Sequence, residues 1–86
     1  MYEIRYTTQA VKDIKKLKQD NLDSKVKHLI ELIRKNPFET PPPFEKLVGD
    51  LTGAYSRRIN RQHRLVYKID VEHHAVIIIR MWTHYE

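Results

Sequence analysis

The chain has 86 residues, enough for one domain (residues 1–86) with one thin core, because a chain of this size buries only roughly 60–65% of its unfolded surface. At 41% hydrophobic and 31% charged it has the make-up of a soluble globular domain, its longest aliphatic run (Ala75 to Ile79) falls far short of the ~18–20 residues that span a bilayer, and the absence of cysteine excludes a disulfide scaffold, a zinc-thiolate site and a thiol nucleophile. Sixteen Lys and Arg against eleven Asp and Glu leave a net charge of +5, which favours a polyanionic partner (nucleic acid, an anionic membrane surface or an acidic protein) over the plainer alternative of a lysine-rich solvated surface.

Tyr2-Glu3-Ile4-Arg5-Tyr6 alternates apolar and polar, which predicts a short strand with Tyr2, Ile4 and Tyr6 on one face. Thr7 and Thr8 offer hydroxyls for a helix cap. Ala10, Val11, Ile14 and Leu17 then recur at helical spacing, with Lys12, Lys15, Lys16 and Lys18 on the other side, predicting a helix from Thr8 to Gln19. Asp20-Asn21 and Asp23-Ser24 supply a turn and a new cap. Leu22, Val26, Leu29, Ile30 and Ile33 mark a second amphipathic helix that Asn36-Pro37 ends, since a residue before proline is pushed out of the helical region. A short connection makes the two helices an antiparallel hairpin.

Pro41-Pro42-Pro43 fits neither a helix nor a central strand, so 38–48 is expected to be an extended surface loop, with Gly49 and Gly53 punctuating the entry into a sheet. Ala54–Ile59, Arg64–Ile69 and Ala75–His84 read as three strands joined by polar turns at 60–63 and 70–73, hence antiparallel hairpins. The order β-α-α-β-β-β predicts an α+β fold: a small antiparallel sheet with the two-helix hairpin packed on one face.

The pleat sorts the strand residues. Tyr55, Arg57 and Ile59 share one face, and Ala54, Ser56 and Arg58 the other. Leu65, Tyr67 and Ile69 look like core, which leaves Arg64, Val66 and Lys68 facing away from the helices. On the last strand Arg80, Trp82 and His84 fall on one side, and Met81, Thr83 and Tyr85 on the other. Arg58, Arg64 and His84 can therefore meet on the face the helices leave open. Two guanidiniums can hold a phosphodiester and stabilise the added charge of a phosphorane. A histidine can protonate a leaving alkoxide. Glu45, on the proline loop, is the candidate carboxylate to take a proton. With RNA the nucleophile is the substrate's own 2′-hydroxyl, so neither metal nor cofactor is expected. His73-His74 point to opposite faces and make no metal site, His63 in the hairpin turn reads as structural, and His28 as a surface residue.

Leu51-Thr52-Gly53-Ala54-Tyr55-Ser56-Arg57-Arg58-Ile59, His63-Arg64-Leu65-Val66-Tyr67 and the terminal His84-Tyr85 together resemble the Txe/YoeB family of bacterial toxins, part of the RelE-like superfamily of toxin–antitoxin pairs; Asn36-Pro37-Phe38-Glu39 also fits. The resemblance covers essentially the whole chain. It implies a cytoplasmic, metal-independent endoribonuclease that cuts messenger RNA in the decoding site of the ribosome and stops translation. It further implies Glu45 as general base, Arg58 and Arg64 as phosphate-binding positions with Arg64 in the catalytic set, His84 as general acid and Tyr85 in substrate positioning. The family often has a lysine three residues after the glutamate, where this chain has Val48, so Lys46 is the nearest cation and joins the substrate-binding set. Trp82-Thr83 and the extra Glu86 are further departures, bearing on phosphate contact and rate and not on reaction class. The implied partners are mRNA on the ribosome and a small acidic antitoxin, with a second copy of the chain a further candidate and no membrane. The alternative of a different class is a basic protein that inhibits its target by binding alone, as gyrase-directed relatives in the superfamily do.

Overall fold

The computed structural model describes residues 1–81. The order is β1 (Glu3–Tyr6), α1 (Thr8–Gln19), α2 (Asp23–Lys35), β2 (Glu45–Lys46), a short 3-10 turn (Gly49–Leu51), β3 (Ala54–Arg58), β4 (Arg64–Asp70) and β5 (Ala75–Arg80). The fold is α+β, with both helices contributing to one core against the sheet. The sheet is five-stranded in the order β1-β5-β4-β3-β2. It is mixed, whereas the turns predict antiparallel pairing alone: β2, β3, β4 and β5 pair antiparallel, but β1 lies parallel to β5, Ile4 beside Val76 and Tyr6 beside Ile78. Alternation along β1 reveals a strand and a face but neither neighbour nor direction, and the parallel partner is formed from the other end of the chain.

α1 starts where the threonines suggest. Thr7 Oγ1 accepts the Ala10 amide at 3.1 Å and donates to the Ile79 carbonyl at 2.6 Å, so one hydroxyl caps the helix and ties it to β5. Ala10 and Leu17 enter the core as expected, but Val11 stays 47% exposed and Asp13 is buried in its stead. The reason is a demand from β5: Asp13 Oδ2 accepts the Met81 amide at 3.0 Å, and Gln9 Nε2 donates to Asp13 Oδ1. A second correction concerns the start of α2. Leu22 occupies the cap position without a side-chain bond, and Asp23 falls inside the first turn, where its carboxylate faces the positive end of the helix dipole.

Val26, Leu29 and Ile33 of α2 join Ala10 and Leu17 against Leu65, Tyr67, Val76, Ile78 and Met81. Each large aliphatic buried this way contributes about 1.5–3 kcal/mol against chain entropy. The 38–48 stretch is not wholly loop, because Glu45–Lys46 adds a fifth strand to the edge of β3. Gly53 enters β3 at φ +94, a conformation that favours glycine, and a Cβ there would meet nothing within 4 Å, so backbone freedom and not space selects the residue. In the middle of the sheet the β4–β5 register slips. Val66 pairs with Arg80 while Tyr67 pairs with Ile78, leaving Ile79 as the extra residue of a bulge.

Candidate active site

The β3–β4 hairpin builds the site by alternation. Tyr55 and Arg57 point to the helix side with Leu65 and Tyr67; Ser56 and Arg58 lie on the other face with Arg64 and Val66. Arg57 is fully buried and Arg58 exposed, as the pleat predicts. The turn that fixes this register is held by Asn60, whose Oδ1 accepts the amides of Gln62 (2.9 Å) and His63 (2.8 Å), while the His63 carbonyl accepts the Ile59 amide. His63 is 1% exposed, consistent with a structural role. The register sets Arg58 directly opposite Arg64. Like charges opposed across a strand pair are destabilising, and the Glu45 carboxylate beside Arg64 offsets that repulsion.

β2 brings the carboxylate. Glu45 pairs with Ser56 and so shares the face of Arg58 and Arg64. Glu45 Oε1 stands 3.3 Å from Arg64 Nη1, and the same nitrogen lies 3.4 Å from Ser56 Oγ. The Arg64 side chain is only 20% exposed, against 65% for Glu45. Glu45, Ser56, Arg58 and Arg64, with Pro42 and Pro43, line a cavity of about 300 Å³. A wider cavity of about 370 Å³ lies between Tyr6 and the two helices, but its lining is mostly apolar with Asp23, Lys27 and Glu31 mixed in, and no cations converge there. An ion pair with one partner this exposed contributes at most about 1 kcal/mol to stability.

Of the residues singled out in the sequence, Glu45, Arg58 and Arg64 come together in this cleft. Lys46 does not: its register partner is Tyr55, so alternation turns it to the opposite face from Glu45. Adjacent residues on a strand cannot serve one face, and the two-residue strand that dictates this is invisible to periodicity. His84 and Tyr85 lie outside the described residues. Two further residues belong to the same face. Ser56 touches Arg64, and Arg80, which pairs with Val66, completes the row Arg80–Val66–Ser56–Glu45 across four strands. Simple alternation from Val76 and Ile78 would send Arg80 to the helix side; the bulge at Ile79 redirects it.

Beneath the cleft, Arg57 donates from Nε to Tyr67 Oη (2.9 Å), from Nη1 to the Pro42 carbonyl (2.6 Å) and from Nη2 to the Pro37 carbonyl (3.0 Å). Burial pushes the Tyr67 phenol above its ordinary pKa, and the Arg57 hydrogen bond opposes that rise. Among the described residues no group of three or more His, Cys, Asp or Glu is placed to hold a metal ion.

Residues 6–85 match the family described as the YoeB-like toxin of the bacterial type II toxin-antitoxin system. The toxin RelG of Mycobacterium tuberculosis is 32% identical over 80 residues, covering 93% of this chain and 87% of the relative. A toxin YoeB of Synechocystis is 40% identical over 74 residues, 86% and 77% of the two chains. In three dimensions the chain superposes on a chain of the YoeB-YefM complex from Staphylococcus aureus with a TM-score of 0.82 and 38% identity, over 99% of both chains. Together with the sheet order, the two helices packed into one core and the Glu45–Arg64 cleft, the match along nearly the full length means that this chain belongs to the YoeB-like toxins of type II toxin–antitoxin systems.

Proposed function

We propose that the chain is a ribosome-dependent endoribonuclease that cleaves mRNA in the decoding site without a metal ion. The observation that supports this most is the Glu45 carboxylate 3.3 Å from Arg64, in a cleft that also holds Arg58. Binding a polyanion needs the arginines alone. A carboxylate among them weakens phosphate binding, and service as a proton acceptor gives it a use that binding alone does not.

In this reading the scissile phosphate sits between Arg58 and Arg64. Glu45 removes the proton of the adjacent 2′-hydroxyl, and the 2′-oxygen attacks phosphorus. The phosphorane gains a negative charge that the two guanidiniums stabilise. The P–O5′ bond breaks as His84 gives a proton to the leaving oxygen, with Tyr85 positioning the substrate. The products are a 2′,3′-cyclic phosphate and a 5′-hydroxyl, and Glu45 holds the proton gained. In this reading the decoding site supplies geometry that an 86-residue chain with a cavity of about 300 Å³ does not, which is why cleavage is expected to need the ribosome.

The partner is a small acidic antitoxin that masks the cleft. The heterotetrameric YoeB-YefM toxin-antitoxin complex and the YoeB dimer, both of Staphylococcus aureus, support such a partner and a pairing of the chain with itself. Action on ribosomes puts the protein in the cytoplasm; no helix among the described residues is long and apolar enough to cross a membrane. The test is cleavage of one mRNA, free and on programmed ribosomes, with chelator added after ribosome integrity has been checked. Cleavage only on ribosomes and undiminished by chelator is expected. Translation arrest with the mRNA intact would replace the ribonuclease by a binding inhibitor.

A further inference from the structure

We propose that Arg57 is a positioning residue: from inside the core it clamps the 37–44 loop and thereby sets where Glu45 stands. The inference rests on the ribonuclease reading for its consequence, but its geometry stands independently. Arg57 is fully buried, and its guanidinium grips the loop at three places: the Pro37 carbonyl at 3.0 Å, the Pro42 carbonyl at 2.6 Å and the Phe44 ring, whose centroid lies 5.0 Å away. The fourth contact, Nε to Tyr67 Oη at 2.9 Å, anchors the clamp to β4. Among the described residues no carboxylate pairs with it. A buried cation facing only neutral acceptors is costly, and an apolar side chain would fill the space more cheaply. What an apolar side chain cannot do is reach three separated points of one loop with a planar fork of donors.

The loop needs such a grip. Pro41, Pro42 and Pro43 have no amide hydrogen, so that stretch can be held only through its carbonyls and by packing. Beyond it, Glu45–Lys46 is a two-residue strand at the sheet edge, and the Glu45 side chain is mostly exposed. The last gripped residue, Phe44, immediately precedes Glu45 and packs edge-on against Tyr55 at 5.4 Å. Arg57 and Arg58 thus divide the work, one fixing the base from below and one facing the phosphate from above.

The Leu47 amide reports on the clamp, because it donates to the Ala54 carbonyl at 2.9 Å and closes the β2–β3 edge. The Thr7 amide, bonded to Ile78 at 3.1 Å on the opposite edge, reports on global folding. In Arg57→Lys the ammonium reaches one acceptor instead of three, so Leu47 exchange should accelerate by about 10–100-fold while Thr7 stays protected. In Tyr67→Phe, which removes the oxygen that anchors Arg57 and itself donates to the Pro37 carbonyl at 3.5 Å, the expected acceleration is about 3–10-fold. Unchanged Leu47 exchange in both variants overturns the proposal. If Arg57→Lys also exposes Thr7, the same two amides in Tyr67→Phe decide. On programmed ribosomes Arg57→Lys should lower kcat by about 10–100-fold with KM within about threefold of wild type, as misplacement of a catalytic group does. In a Glu45→Gln background the same change should cost nothing more, and a full additive loss there overturns the route through Glu45. If the wild type cuts no mRNA, the ribonuclease reading fails while the exchange data still decide the clamp.

Discussion

Arg57 and Arg58 are neighbours in sequence with opposite environments, one fully buried on neutral acceptors and one exposed beside the cleft. Substitution of Arg57 and of Arg64, which pairs with Arg58 on the cleft face, should separate accordingly. Arg57→Ala leaves the Tyr67 hydroxyl and the Pro42 carbonyl without their donor, leaves the Pro37 carbonyl only the Tyr67 hydroxyl at 3.5 Å, and opens a cavity, so it should cost about 2–4 kcal/mol in urea denaturation. Arg64→Ala should leave the denaturation midpoint close to wild type but lower cleavage by about 10²–10³-fold, the usual loss for a group that stabilises developing charge. Equal stability of the two variants would contradict the assignment of faces. Glu45→Gln should lower single-turnover cleavage by about 10²–10⁴-fold without unfolding the chain, since the carboxylate is largely exposed. The arginine faces were legible because strand alternation is strict. Asp13 was not, because its burial answers to the Met81 amide, a partner far away in sequence. The face of Lys46 was not legible, because nothing in the sequence signals that two residues of the proline loop form a strand.

At the scale of elements, each connection was legible where its residues carry turn chemistry. Asn60 and Gly53 mark the approaches to the hairpin, and the Asn36-Pro37 exit ends α2 where expected. The bulge at Ile79 has no such mark. It shows only in the pairing of β5 with β4, and it places Arg80 opposite Val66 on the cleft face. The β4–β5 turn offers a test in pH. The His73 amide at 3.1 Å and then the His73 ring at 2.8 Å hold the Asp70 carboxyl below the usual carboxylate range. A lowered folded-state pKa adds stability that is present above the unfolded value of about 3.9 and is lost as pH falls through the folded value. Asp70→Asn should therefore lower the urea midpoint at pH 7, and the gap to wild type should close in acid below that window. A gap that persists undiminished there would mean that the turn draws nothing from the charge.

Over the whole molecule, hydrophobic period and turn residues sufficed for an α+β order of elements, whereas the parallel β1–β5 pairing, which closes the sheet with both ends of the chain, has no local signature. The excess positive charge is spread over helices and sheet, and a partner that masks the cleft should be acidic. Association with the antitoxin should therefore slow by about tenfold or more between low and moderate salt, while dissociation changes far less. A rate of association indifferent to salt would remove charge steering from the account. The central claim, that Glu45 and the paired arginines serve attack by the substrate's own 2′-hydroxyl, is tested most directly on programmed ribosomes carrying an mRNA with hydrogen in place of that single hydroxyl. The natural mRNA should be cut to a 2′,3′-cyclic phosphate end and the deoxy-substituted mRNA left intact; cleavage of the substituted mRNA at the same position would rule out attack by the 2′-hydroxyl.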